Sequence, residues 1–295
     1  MEDHKPSILK TLSFFAAQDV ALTTIEVRDF LLGQSRSGAV LRLSQIEREL
    51  EKLITSKKVV SQDGLHTLIS RAELIEKKKD HYTNALRLMR RARSWAAGLR
   101  HFPYVRAVAV SGSTAQLNAS PMSDIDLFII VEPGRMFFAR LLVSAYFQIL
   151  GMRRHGDYIA QRFCLNHYIA SGLQMPQDRN EYTALLYRSF LTIFGYEHIR
   201  DFWFRNLPWI ENFFQHNSPP DPPIERYPER SLAQLVLESV LDPFALLLER
   251  GARYFQKQRI IESEYVIVSD TQLSFHPDSK GQKVLRRFRD IQRSL

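Results

Sequence analysis

The chain has 295 residues, 45% hydrophobic and 24% charged, a balance that is ordinary for a globular protein and ample for two or three small domains. A net charge of +8 and a pI near 9.6 favour an anionic partner: nucleotide, nucleic acid or an acidic protein surface. The single cysteine, Cys164, excludes an internal disulfide and suits a reducing cytoplasm; the start, Met1 to Pro6, lacks a signal-peptide layout, and no apolar run reaches the ~20 residues of a spanning helix, so the expectation is a cytoplasmic protein without a membrane partner.

Residues 1–70 read as a separate module. Ile8, Leu9, Leu12 and Phe15 recur at helical spacing, and Thr23-Thr-Ile-Glu26 and Ser44-Gln-Ile-Glu47 each have capping-box form. Ile46, Leu50, Leu53 and Ile54 give the second of these helices one apolar face. Lys57 to Ile69 then holds two short strands around Asp63-Gly64, a hairpin signal. Three short helices followed by a hairpin resemble a winged helix-turn-helix. On the would-be recognition helix Gln45, Arg48 and Lys52 are placed for phosphates or base edges, with Lys57 and Lys58 at the wing's base; Glu47, Glu49 and Glu51 on the same helix oppose tight binding, so weak nucleic-acid contact or a packing role stays open.

Residues 71–100 read as one connecting helix, with Tyr82, Leu86, Met89, Ala96 and Leu99 as its buried stripe. Arg90, Arg91, Arg93 and Arg100 gather near its end, either complementing the helix dipole or approaching an anionic ligand. Pro103 breaks the helix.

The runs Val108-Ala-Val-Ser-Gly-Ser113 and Asp124-Ile-Asp126-Leu-Phe-Ile-Ile-Val131 read as neighbouring buried strands. Alternation puts Asp124 and Asp126 on one face and Ile125, Leu127 and Ile129 on the other. Two carboxylates side by side repel and resist desolvation unless a cation lies between them, and a hard divalent ion such as Mg²⁺ is the natural resident. The Gly112-Ser113 turn lets phosphate oxygens approach the backbone. After Gly134, Met136 to Leu150 returns as a helix, with Arg135 and Arg140 on its first turns. Arg162 to Ala170 is a third strand, giving a small mixed sheet with helices on one side.

Gly112-Ser113, the ten-residue gap and Asp124-Ile-Asp126 resemble the signature of the DNA polymerase beta-type nucleotidyltransferase superfamily, and the surroundings resemble its stand-alone prokaryotic members. The resemblance covers about residues 101–175 and implies an α+β fold with a nucleotidyltransferase core. It implies Asp124 and Asp126 as catalytic metal ligands and Gly112, Ser113 and Ser123 as nucleotide-binding residues. It implies Mg²⁺ or Mn²⁺ as cofactor and a nucleoside triphosphate (NTP) as substrate. The superfamily's third carboxylate has no counterpart in the 162–170 strand, where alternation pairs Cys164 with Asn166 and Tyr168, and Phe163 with Leu165, His167 and Ile169; Asn166 stands where the acid is expected. Asp157, Asp178 and Glu181 flank the strand as substitutes, and His167 is either a proton acceptor or a core residue.

Residues 176–295 read as a helical, aromatic-rich region: Tyr182 to Ile193 one helix, Asp201 to Phe214 irregular or broken at Pro208, a stiff Pro219 to Pro223 connector, and Leu232 to Arg259 a long amphipathic helix. Val284, Leu285, Phe288 and Ile291 stripe a basic tail helix with Lys283, Arg286, Arg287 and Arg289. The expected function is transfer of a nucleoside monophosphate from an NTP to an RNA, small-molecule or protein hydroxyl. Its alternative is a catalytically impaired nucleotide-binding regulator whose winged helix contacts DNA or a protein.

Overall fold

The structure is a computed structural model and describes residues 4–33, 41–173, 179–223, 228, 230–260, 266–275 and 280–295. It is a mixed α/β protein with two sheets, one of three strands and one of six.

The first elements are α1 (Lys5–Ala16), β1 (Leu22–Thr23), α2 (Thr24–Asp29), α3 (Leu43–Thr55), β2 (Val59–Gln62) and β3 (Leu65–Leu68), the strands pairing antiparallel in the order β1-β3-β2. The Thr23–Glu26 capping box is formed, with Glu26 N donating to Thr23 Oγ1 and Thr23 N to Glu26 Oε2. The second expected box is displaced: α3 starts before Ser44, and Arg42 N donates to the Gln45 side chain instead. Asp63 (φ +53°) and Gly64 (φ +74°) make the β2–β3 turn that this dipeptide favours. Gln45, Arg48, Lys52, Lys57 and Lys58 are all exposed, whereas Glu49 is buried and pairs with Lys52 at 2.6 Å.

α4 (Glu73–Ala96) follows, then a 3-10 segment to His101. Its buried stripe runs through Leu74, Ile75, Ala85, Leu88, Met89 and Ala92, so Tyr82, expected inside, is exposed. The six-stranded sheet has the order β7-β4-β5-β6-β9-β8. Its members are β4 (Val105–Ser111), β5 (Ile125–Val131), β6 (Phe163–Ala170), β7 (Leu191–Phe194), β8 (Val266–Val268) and β9 (Gln272–Phe275). β4 begins the site, joined to β5 through the short α5 (Gly112–Ala115); β5 and β6 run parallel, linked by α6 (Met136–Ile149), and the other pairings are antiparallel.

The fold departs from the expected one in several places. Helices cover both faces of the sheet. Val108, Leu127, Ile129 and Tyr168 pack with α4 and α6, while Ala107, Phe128, Ile130 and Ile169 pack with α7 (Glu181–Arg188) and α8 (Tyr196–Ile210). The Tyr182–Ile193 segment is not one helix, because Ser189 ends α7 and Leu191–Phe194 pairs with β4 as an edge strand. The region after residue 176 also supplies β8 and β9, so it is not purely helical. Pro208 sits inside α8 near its end without breaking it. Gly195 (φ +72°) starts α8 against β4, where a Cβ would lie 2.2 Å from Arg106 O.

α9 (Leu232–Leu241) and α10 (Ala245–Lys257) replace the single long helix expected, separated at Asp242–Phe244. α11 (Lys280–Arg293) buries Val284 and Phe288 against the first module, the Phe288 ring 5.3 Å from Phe14. The hydrophobic core is thus continuous from α1 through α11 to one face of the large sheet. Among the described residues no helix is long and apolar enough to cross a membrane.

Candidate active site

The site lies where β4 ends and β5 begins. In the antiparallel register Ser111 faces Asp126, so the chain leaving β4 turns directly beside the second aspartate. Gly112 makes that turn with φ +66°, and a Cβ on it would lie 2.4 Å from Asp126 Oδ2. Only glycine satisfies both the conformation and the contact. The loop behind is pinned: Asn84 Nδ2 on α4 donates to Ala119 O (3.0 Å) and Ser120 O (2.6 Å), and Asn118 N donates to Ser113 O at 2.9 Å. Ser113 Oγ donates to Ser123 Oγ at 3.4 Å, which brings these two expected nucleotide-binding hydroxyls together.

Asp124 and Asp126 share one face, as alternation requires, and Ile125, Leu127 and Ile129 enter the core on the other. Burial, then the neighbouring Asp124 carboxylate, push the Asp126 carboxyl up to about 6 against the pull of Lys280 and Arg154. Arg154 Nη1 holds Asp124 Oδ2 at 2.6 Å.

The residue opposite the pair is Cys164 and not Asn166. β5 and β6 register Asp126 with Cys164 and Phe128 with His167, so β6 carries one extra residue across that interval. The bulge breaks the simple alternation: Phe163, Leu165, Tyr168 and Ala170 share one core face, while Ile169 belongs to the other. His167 packs edge-on against Phe128 at 4.9 Å, inside the aromatic core. Ligand atoms of Asp124, Asp126 and Cys164 lie within 4.8 Å of one another, a cluster of the size a metal ion needs. Burial and the two carboxylates push the Cys164 thiol well above its ordinary range, so without a cation it stays protonated.

A cleft of about 430 Å³ opens over Gly112 and Ser113, and its other wall is α11, with Lys280, Lys283, Arg286 and Arg287. Lys280 is held above its ordinary value by the Tyr182 phenol and then by Asp126 and Asp124. Asp19, in the turn after α1, closes the rim by pairing with Arg71 and, at 3.6 Å, with Arg287. The basic tail helix was legible as a helix, but nothing local in its sequence says that it returns to the glycine turn. Arg90, Arg91, Arg93 and Arg100 do not line this cleft. Arg140 packs over the Phe275 ring at 4.3 Å, and Arg135 over Tyr104 at 5.4 Å. Asp157 is exposed on the loop before β6, Glu181 opens α7, and Asp178 lies outside the described residues.

Compared with known families, characterised proteins and solved structures, the chain matches none.

Proposed function

We propose that the protein is a metal-dependent nucleotidyltransferase that moves a nucleoside monophosphate from an NTP to a hydroxyl acceptor. In this reading the six-stranded sheet is a nucleotidyltransferase core, and the first elements are a winged-helix-like module. The observation that carries it is the convergence, at one glycine turn, of a paired carboxylate on one side and four cationic side chains on the other. A polyanion with a divalent cation matches both halves, whereas either half alone is ordinary surface chemistry.

Asp124 and Asp126 would hold Mg²⁺ or Mn²⁺, and the raised Asp126 carboxyl fits this, since a cation offsets both the burial and the Asp124 charge that raise it. The bound ion supplies charge neutralisation along the triphosphate. The Gly112–Ser113 turn seats the terminal phosphates, with the Ser113 and Ser123 hydroxyls beside it, and the α11 cations offset their charge. The acceptor hydroxyl attacks the α-phosphorus in line and pyrophosphate leaves. Cys164 stands where a third carboxylate would act as base, so β6 offers no carboxylate beside the acid pair to take the acceptor's proton.

That last feature favours a second reading, a nucleotide-binding regulator with little or no turnover. Arg154 on Asp124 and a thiol in place of a third acid both weaken a catalytic metal site. The output would be the winged-helix-like module, reached through α11, and its exposed Gln45, Arg48 and Lys52 would contact DNA or a protein.

Incubation with each labelled NTP, Mg²⁺ or Mn²⁺, and cellular RNA, protein and metabolites separates the two. Pyrophosphate with a labelled product supports transfer; Mg²⁺-dependent binding without pyrophosphate supports the regulator; no Mg²⁺-dependent binding removes both.

A further inference from the structure

Helices α9 and α10 are turned inside out. Their inward faces bury Gln234, Glu238, Glu249 and Gln256, with only the small Ala245 and Ala252 as fully buried apolar residues among them. Gln234 and Glu238 are hydrogen-bonded to β4 and the turn before it, and Glu249 and Gln256 to the start of α6. Glu238 Oε1 accepts from Tyr104 N at 2.6 Å and from Arg106 Nη1 at 2.7 Å, and Gln234 Nε2 donates to Val105 O at 2.7 Å. Glu249 accepts from Phe137 N (3.0 Å) and Phe138 N (2.9 Å), and Gln256 Nε2 donates to Phe137 O at 2.6 Å. The outward face is apolar, with Leu232 81%, Val236 63%, Val240 63%, Phe244 60% and Leu247 71% exposed. Polar residues face in because they satisfy specific backbone groups and Arg106. Among the described residues the apolar face has no internal partner.

The open area of the large apolar side chains on these two helices is on the order of 1,000 Å², against ~300–600 Å² for the largest patch of a typical monomer. It also matches the ~800 Å² that each partner contributes to a standard interface, and homodimer interfaces are the apolar, charge-poor kind. Between Leu232 and Leu247 the only exposed charge is Asp242, and its Oδ1 accepts from Tyr104 Oη at 2.8 Å. A helix lying on a lipid surface carries lysine and arginine on its polar face. Here the polar face is docked on the protein through Glu238 and Glu249, with Arg253 beside Glu249, and the other cations of α10, Arg250 and Lys257, follow the apolar stretch that ends at Leu247. We infer that the α9–α10 face is the interface between two copies of this chain, packed about a two-fold axis so that each apolar face covers the other.

The test is sedimentation equilibrium of the full chain up to ~50 μM, within the range where an interface of this size associates, beside Val236→Glu and Leu247→Glu variants and a flotation assay with phosphatidylserine–phosphatidylcholine vesicles. The expected wild-type mass is twice 34.4 kDa, without vesicle binding. Each variant should keep the wild-type circular dichroism and raise the dimer dissociation constant ~100-fold or more, because the charge enters a symmetric interface twice. A monomeric wild type overturns the inference, whether it floats with vesicles or stays free. A dimer that survives both substitutions overturns it as well, since its contact would then lie on another face.

Discussion

At the scale of single residues, Gly112 and Cys164 decide what the site does. Gly112 combines φ +66° with a missing Cβ, and Asp126 Oδ2 occupies that space. Gly112→Ala should cost about 1–2 kcal/mol of stability from the left-handed backbone alone. It should also push Asp126 away and weaken Mg²⁺-dependent NTP binding at least ~tenfold, or about 1.4 kcal/mol, which calorimetric titration would read. Unchanged binding would make the turn purely structural. Cys164 occupies the position facing the acid pair, so Cys164→Asp is the substitution that adds a third carboxylate there. Without a cation it should destabilise the fold by about 1–3 kcal/mol, because three acids then share one partly buried site. With Mg²⁺ it should bind the ion more tightly and, if deprotonation limits turnover, release pyrophosphate faster. Tighter Mg²⁺ binding without a rate gain would favour the regulator reading.

At the scale of elements, the sequence was most legible where a local rule had no competitor. The Gly-Ser turn, the shared face of Asp124 and Asp126, the Asp63-Gly64 hairpin and the Val284–Phe288 stripe all follow from spacing alone, and each stands as read. The failures have specific causes. Leu191–Phe194 is short and apolar, a pattern that helix and strand share, and only pairing with β4 makes it a strand. The third position is Cys164 and not Asn166 because the parallel pairing sets Cys164 beside Asp126, a register that alternation within β6 does not reveal, and the bulge just beyond changes the faces of the residues that follow. The Leu232–Arg259 segment, read as one amphipathic helix, is two, because it is interrupted at Asp242–Phe244, and amphipathicity alone did not say that the buried positions would include Gln234, Glu238, Glu249 and Gln256. The role of α11 depends on a contact distant in sequence. It makes a direct prediction: Lys280→Ala should leave the fold intact and lower triphosphate affinity more than monophosphate affinity, by about tenfold on direct titration. Equal effects on both ligands would place the phosphates elsewhere.

At the scale of the whole molecule, the site is held by elements that its formation does not favour electrostatically. α11 packs on the first module through Phe14 and Phe288, and the loop 116–120 is tied to α4 and, through Asn118 Nδ2, to Asp19 O at 3.2 Å. These contacts fix Asp126 beside Asp124 although the pair repels. The Asp126 carboxyl, ordinarily near 3.8, sits at about 6 in the folded protein. The folded state therefore holds its proton more tightly than the unfolded chain does. Stability from this group is complete below the ordinary value, falls as pH rises through the window between the two, and stays reduced above about 6. Asp126→Asn removes the titration. In EDTA the variant should equal the wild type near pH 4 and exceed it by about 1–3 kcal/mol at pH 7–8, read from urea midpoints across that range. Adding Mg²⁺ at pH 7.5 should then raise the wild-type midpoint and leave the variant where it was, because only the wild type keeps both carboxylates. Parallel pH curves for the two proteins would mean that neither burial nor the Asp124 charge disfavours the ionised Asp126, and the metal reading would lose its main physical support.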